Sequence, residues 1–140
     1  MGIGILVRDH DGVVLSAKCS TQLFITDPLT AETIATWTAA CFIKMKAFDK
    51  VILEGDSMGV VQSLLGEEQS WAPTGQLIDD TKRILGACSS WKVQHVHREA
   101  NTAADRLAKM ALQLVDEHQW INFTPLCIQD IVLFDRRMFA

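Results

Sequence analysis

The 140-residue chain predicts a mixed α/β fold, a mixed sheet with flanking helices, and three observations predict it. Strand-like runs alternate with helical runs, the pattern of a layered α/β domain. Residues 51–55, Val-Ile-Leu-Glu-Gly, are too short and apolar for a surface helix and suit a buried parallel strand. Residues 97–109 pass from a strand-like run into a helix that carries a carboxylate, Asp105, one turn inside it.

The elements follow in order. Residues 2–8 and 13–20 are strand-like and joined by a polar turn containing Gly12, so they read as a hairpin. Residues 23–26 read as a continuation or partner of that hairpin. Pro28 and Thr30 start a helix running to about Phe48, since Ile34, Trp37, Cys41, Phe42, Met45 and Phe48 recur at helical spacing. Ser57 begins a helix through Leu65. A polar loop follows over 66–75, with Trp71 and Pro73. Leu77, Ile78, Thr81, Ile84 and Leu85 line one face of a helix over 76–88. Residues 91–97 form a strand. The last motif helix spans 102 to about 115, with Asn101 as N-cap, because its side chain can accept from a free first-turn N–H. Asp105 then stands near the positive end of that helix. Beyond Asp116 the pattern weakens. Residues 128–134 read equally as helix or strand.

Composition bounds the function classes. A chain of this length lies within the roughly 100–200 residues of one domain, and 49% hydrophobic content supports a sizeable core. We expect a single domain over 1–140, with a core to 115 and a tail over 116–140. The four cysteines, Cys19, Cys41, Cys88 and Cys127, form no Cys-x-x-Cys pair and read as buried free thiols rather than zinc ligands or a disulfide framework. No signal peptide and no run of about 20 apolar residues is present, so an intracellular protein without a membrane span is expected. Thirteen Lys and Arg face 17 Asp and Glu, a net charge of −4. Nucleic-acid binding rests on phosphate neutralisation, so any such binding should be weak and salt-sensitive.

Three carboxylates carry the chemical signal. Glu32 lies near a helix start, Asp56 ends the 51–55 strand, and Asp105 sits in the last helix's first turn. Singly, each reads as a cap or a solvated charge. Together, in apolar segments, they suit a hard divalent cation, since Mg²⁺ takes oxygen ligands and keeps several waters. His95 offers a proton shuttle near neutral pH. Strand alternation also places it with Val93 and His97 as a half-buried pair, and that reading is preferred. Trp37 reads as core. Trp71 is the better candidate for an exposed stacking platform, although a loop anchor is the preferred reading.

Taken in order, Gly2-Ile3-Gly4 with Arg8-Asp9, Ala31-Glu32, Gly55-Asp56-Ser57 and the run from His95 to Ala108 resemble the ribonuclease H-like domain. More narrowly, they are similar to the plant branch related to the ribonuclease H portion of non-LTR retroelement reverse transcriptases. The resemblance extends from Gly2 to about Ala111, and residues 125–135 are like the end of that branch. It implies four carboxylates in the order Asp, Glu, Asp, Asp. Glu32, Asp56 and Asp105 match the last three as metal ligands and catalytic residues, with His95 as an accessory. The first Asp, on a strand ahead of Gly-x-Gly, has no counterpart, and Asp9 and Asp11 read as turn residues. The implied fold is therefore ribonuclease H-like, lacking the family's first strand. The implied activity is endonucleolytic hydrolysis of RNA in RNA–DNA hybrids with Mg²⁺ or Mn²⁺, a two-metal site if complete. This chain alone should be weak or inactive. The alternative is a catalytically dead module that binds nucleic acid or a protein partner, including a second copy pairing at an open sheet edge. Within one chain, direct pairing of residues 2–8 with 51–55 is the favoured closure of the sheet.

Overall fold

The computed structural model describes residues 1–23, 27–66, 73–114 and 116–139. They fall into two compact units, Met1–Phe24 with Glu99–Ala140, and Ile25–Arg98. The elements in chain order are β1 (Gly2–Arg8), β2 (Val14–Thr21), α1 (Pro28–Met45), β3 (Lys50–Gly55), α2 (Met58–Leu65), α3 (Pro73–Gly86), β4 (Ser90–His95), α4 (Thr102–Ala111), β5 (His118–Ile121) and α5 (Gln129–Phe139). Single 3-10 turns, Arg98–Asn101 and Leu126–Ile128, precede α4 and α5. The class is mixed α/β, as expected.

The first unit is built on an antiparallel sheet in the order β1-β2-β5. Its hairpin turn is held by Asp9, whose Oδ1 accepts from the N–H groups of Asp11 and Val13, both at 2.9 Å. Gly12 supplies the positive φ of 78° that closes the turn. The turn reading of Asp9 and Asp11 therefore holds.

Helix α4 lies on β1 at glycine distance. A Cβ on Gly4 would stand 2.5 Å from the Ala108 nitrogen and 2.7 Å from the Leu107 Cβ, and would overlap the Ala104 carbonyl oxygen. A Cβ on Gly2 would overlap the Ala108 carbonyl in the same way. The glycines of the Gly-x-Gly motif are thus the surface on which α4 rests, and Ala104 and Ala108 are its matching small residues. Around this contact Ala103, Leu107 and Ala111 pack with Val14, Ala17, Cys19, Ile128 and Val132.

The C-terminal segment completes that core. Residues 128–134, readable as helix or strand, lie in the turn before α5 and in α5 itself. Arg8 Nη1 donates to Asp135 Oδ2 at 2.7 Å, tying β1 to α5. Arg106 Nη1 contacts Asp130 Oδ1 at 3.1 Å, tying α4 to the same helix. Asn101 occupies the N-cap position of α4 but makes no cap hydrogen bond. Its ψ of 12° continues the preceding 3-10 turn, whereas a capping side chain needs an extended backbone to reach back. Helix α4 ends at Ala111, short of the expected 115, as its last N–H groups tighten onto Lys109 and Met110.

The second unit packs α1, α2 and α3 on the parallel pair β3–β4. Asp27 caps α1: its Oδ2 accepts from the Thr30 N–H at 2.9 Å and the Thr30 hydroxyl at 2.7 Å. Pro28 fits the first turn because its missing N–H would be unpaired there. The helix stops at Met45 instead of about Phe48. Ala47 turns left-handed at φ 59°. Its N–H then donates to Lys44 O and that of Phe48 to Ile43 O, the Schellman arrangement. Phe48 keeps the apolar periodicity because this turn returns it to the cluster of Ala40, Ile43 and Leu85.

Helix α2 is capped by Ser57, as expected. Helix α3 starts at Pro73, ahead of the expected 76, and Trp37 of α1 donates to Asp80 of α3 at 2.6 Å. Strand β3 differs from a strand buried on both faces. Val51 and Leu53 face the helices, whereas Ile52 is 58% exposed. The parallel ladder holds, but helices cover one face only. The expected pairing of residues 2–8 with 51–55 is not among the ladders of the described residues. There β1 bonds to β2 and β3 to β4, each within its own unit. The expectations for residues 24–26 and for Trp71 lie outside the described residues.

Cys19 is buried and the other three cysteines are half-buried. Burial pushes the Cys19 and Cys127 thiols up, away from the reactive thiolate. Among the described residues no helix is long and apolar enough to cross a membrane.

Three outcomes follow from this packing. Gly4→Ala should cost at least about 1–3 kcal/mol by forcing α4 off β1, whereas Gly86→Ala, where an added Cβ meets nothing within 4 Å, should be neutral or slightly stabilising. Urea unfolding compares them, and equal stability of the two variants would refute the close contact. Ala47→Gly should stabilise by about 0.5–1 kcal/mol, because an L-residue in the left-handed region carries a steric cost that glycine lacks. A lower Tm for that variant would count against the turn. The Thr30 donors hold the Asp27 carboxyl below its ordinary value. The stability gap between wild type and Asp27→Ala should therefore be full above about pH 4 and narrow as pH falls through the lowered native value. A gap independent of pH between neutrality and about pH 2 would contradict it.

Candidate functional site

Asp56 is placed by the junction of β3 and α2. It follows Gly55, the last residue of the strand, and precedes Ser57, the cap of the helix. The parallel register sets Gly55 beside His95, and the Val96 N–H donates to Gly55 O at 2.9 Å. Asp56 and His95 therefore stand at the carboxyl ends of two neighbouring parallel strands, where ligands of such sheets gather. The Asp56 side chain is half-buried, 23% exposed.

Glu32 reaches the same end of this unit through helix packing. Leu29, in the first turn of α1, lies 3.5 Å from the Cβ direction of Gly59, in the first turn of α2. Glu32 is three residues beyond Leu29 on a shared face of α1, and Asp56 is three residues before Gly59. Because α1 begins at Pro28, Glu32 is in its second turn, not the first. Its side chain is exposed.

His95 is half-buried, the last residue of the Trp91-Val93-His95 face of β4. The exposed His97 ring meets it edge-on, with centroids 5.9 Å apart. The expected half-buried pair is therefore met by His95 alone, since His97 lies beyond the end of the strand and is exposed.

Asp105 belongs to the other unit. It lies in the first turn of α4, 52% exposed, with Lys109 Nζ 3.1 Å from its Oδ2. The contact of α4 with Gly2 and Gly4 sets the height of its backbone on that sheet. Among the described residues no group of three or more His, Cys, Asp or Glu side chains stands close enough to hold a metal ion.

Two cations stand beside the acids, and the sequence reading did not pair them with these carboxylates. Arg98 Nε stands 3.9 Å from Asp56 Oδ2, and Lys109 pairs with Asp105. The second was readable, as acid and base four residues apart on a helix. The first was not, because 42 positions separate the two residues and only strand pairing brings them near. Hydrogen bonding holds the Asp27 and Asp49 carboxyls low, through Thr30 and Ser89 donors. Both serve local structure.

The donor chemistry fits a hard divalent cation. Mg²⁺ is usually held by one or two carboxylates while it keeps its waters, and Asp56, half-buried at the carboxyl end of β3, is a donor of that class.

Comparison with known proteins bears on the family and the fold. A family described as reverse transcriptase-like matches residues 1–111. Among solved structures, ribonuclease H1 from the halophilic archaeon Halobacterium salinarum NRC-1 is similar, with a TM-score of 0.72 and 27% sequence identity over 80% of this chain and 85% of that one. No curated protein matches. With the family match running through β1, both helix-borne acids and Asp56, the chain belongs to the reverse transcriptase-like family and has a ribonuclease H-like fold.

Proposed function

We propose that this protein binds RNA–DNA hybrids and that Glu32, Asp56 and Asp105 are its metal-ligating carboxylates for hydrolysis of the RNA strand. The observation that carries this reading is Asp56, half-buried at the carboxyl end of β3 beside His95, in a chain similar to a ribonuclease H1. When bound, divalent cations supply a nucleophilic water and neutralise charge at the phosphate. Glu32 and Asp56 would hold them from the second unit, and the resemblance assigns Asp105 the third carboxylate. His95 would move a proton near the leaving oxygen. The same reading makes 1–140 one domain, which is supported by one family match running through both units. It also keeps the chain in the plant, retroelement-related branch and inside the cell.

Three of the family's four carboxylates have counterparts here, so affinity for the cation should be poor. A specific observation favours a second reading, a module that binds without cutting: Asp56 and Asp105 each have a basic side chain within 4 Å. Under that reading the partner is nucleic acid, or a protein or second copy adding a strand at an open sheet edge. Light scattering after size exclusion reports the second copy.

Cleavage of a labelled hybrid separates the two readings. We expect little or no turnover in Mg²⁺ and a gain in Mn²⁺, which binds similar oxygen ligands more tightly. Asp56→Asn should abolish the Mn²⁺ activity, and Asp105→Asn should lower Mn²⁺ affinity alongside it. Cleavage untouched by Asp56→Asn would remove this residue from the site. Hybrid binding without any cleavage in either metal would establish the non-catalytic module.

A further inference from the structure

We propose that Arg98 is a phosphate-contacting residue, held over Asp56 in the free protein and released to the nucleic-acid backbone when a divalent cation takes that carboxylate. The inference rests on the hybrid-binding reading above and adds to it a residue with a defined role.

The first support is how loosely Arg98 is held. Its Nε is 3.9 Å from Asp56 Oδ2, a charge contact beyond hydrogen-bond length. The other arginines with described side chains are engaged elsewhere. Arg8 donates to Asp135, Arg83 to Asp80, and Arg106 to Asp130 and the Cys127 carbonyl. Among the described residues the Arg98 side chain makes no hydrogen bond, and it is 90% exposed. All its donors are therefore available.

The second support is position. Arg98 lies three residues beyond His95, past the carboxyl end of β4 and beside the acid at the end of β3. A phosphodiester approaching Asp56 meets this guanidinium. The fork of N–H donors matches phosphate oxygens two at a time. Such a contact positions the backbone without reading sequence.

The third support is charge balance. Arg98 and a divalent cation compete for one carboxylate, since like charges repel at that range. Asp56, once it held a cation, would release Arg98 to the arriving phosphate. In a chain of net charge −4, a cation stored beside the acid offsets the repulsion that carboxylates present to an incoming polyanion.

Two measurements test this. Fluorescence anisotropy of a labelled RNA–DNA hybrid is followed against salt for wild type, Arg98→Gln and Arg98→Lys, in Ca²⁺ and in EDTA. Arg98→Gln should reduce the slope of log K against log salt by about 1 in Ca²⁺ and by less in EDTA, and Arg98→Lys should keep the wild-type slope. Separately, Mn²⁺ binding without nucleic acid is read by electron paramagnetic resonance. Arg98→Gln should tighten it about 1.5- to 5-fold, the range of an exposed ion pair. Hybrid binding with an unchanged slope in Ca²⁺, or an unchanged Mn²⁺ affinity, overturns the role of Arg98 and leaves the proposed function standing. An equal loss of slope with and without cation overturns the release step. A wild-type chain that does not bind hybrid overturns the proposed function and this inference together.

Discussion

The close approach of α4 to β1 is the contact on which the first unit depends. A helix normally stands off a sheet by the thickness of the side chains between them. Here two glycines on the strand face Ala104 and Ala108 on the helix, and backbone meets backbone. Leu107 and Ala111 then sink into a core shared with β2 and α5, and the first turn of α4 is carried to a set height above the sheet. Asp105 stands on that turn. The motif's glycines carry no side chain of their own, yet through the contact with Ala104 they position the backbone of the acid that follows it.

The second unit solves a different problem. Its sheet has two parallel strands and one covered face, so the helices must supply most of the order. They do so with polar end contacts: Asp27 and Ser57 cap α1 and α2, and Trp37 bonds across to Asp80. The exposed Ile52 marks the face that these helices leave open. Stacking the first turns of α1 and α2 puts Glu32 and Asp56 at one end, and the β3–β4 register adds His95. The candidate chemistry of this unit is a by-product of how its helix starts are packed.

Electrostatics link the two units in kind. In each, a candidate acid on the first residues after a strand or in the first turn of a helix has a basic side chain beside it. Exposed pairs of this sort contribute about 0–1 kcal/mol to stability, too little to explain the fold. Such pairs are cheap to separate, and under the proposed function both cations would stand near an arriving phosphate.

The sequence by itself determined the hairpin, the helical and strand-like runs and their order, because side-chain periodicity and turn residues act locally. It also determined which acids to watch, because Glu32, Asp56 and Asp105 sit in motifs whose order carries the resemblance. Only the tertiary structure decided features that depend on distant backbone. The left-handed Ala47 ended α1 while Phe48 kept its periodicity. Residues 128–134 joined helix α5 because Arg8, Arg106 and the core of Leu107 receive that helix. Ile52 was left exposed because no helix of its unit covers that face. The pairing of Arg98 with Asp56 was set by strand register, a relation between residues that no local pattern encodes.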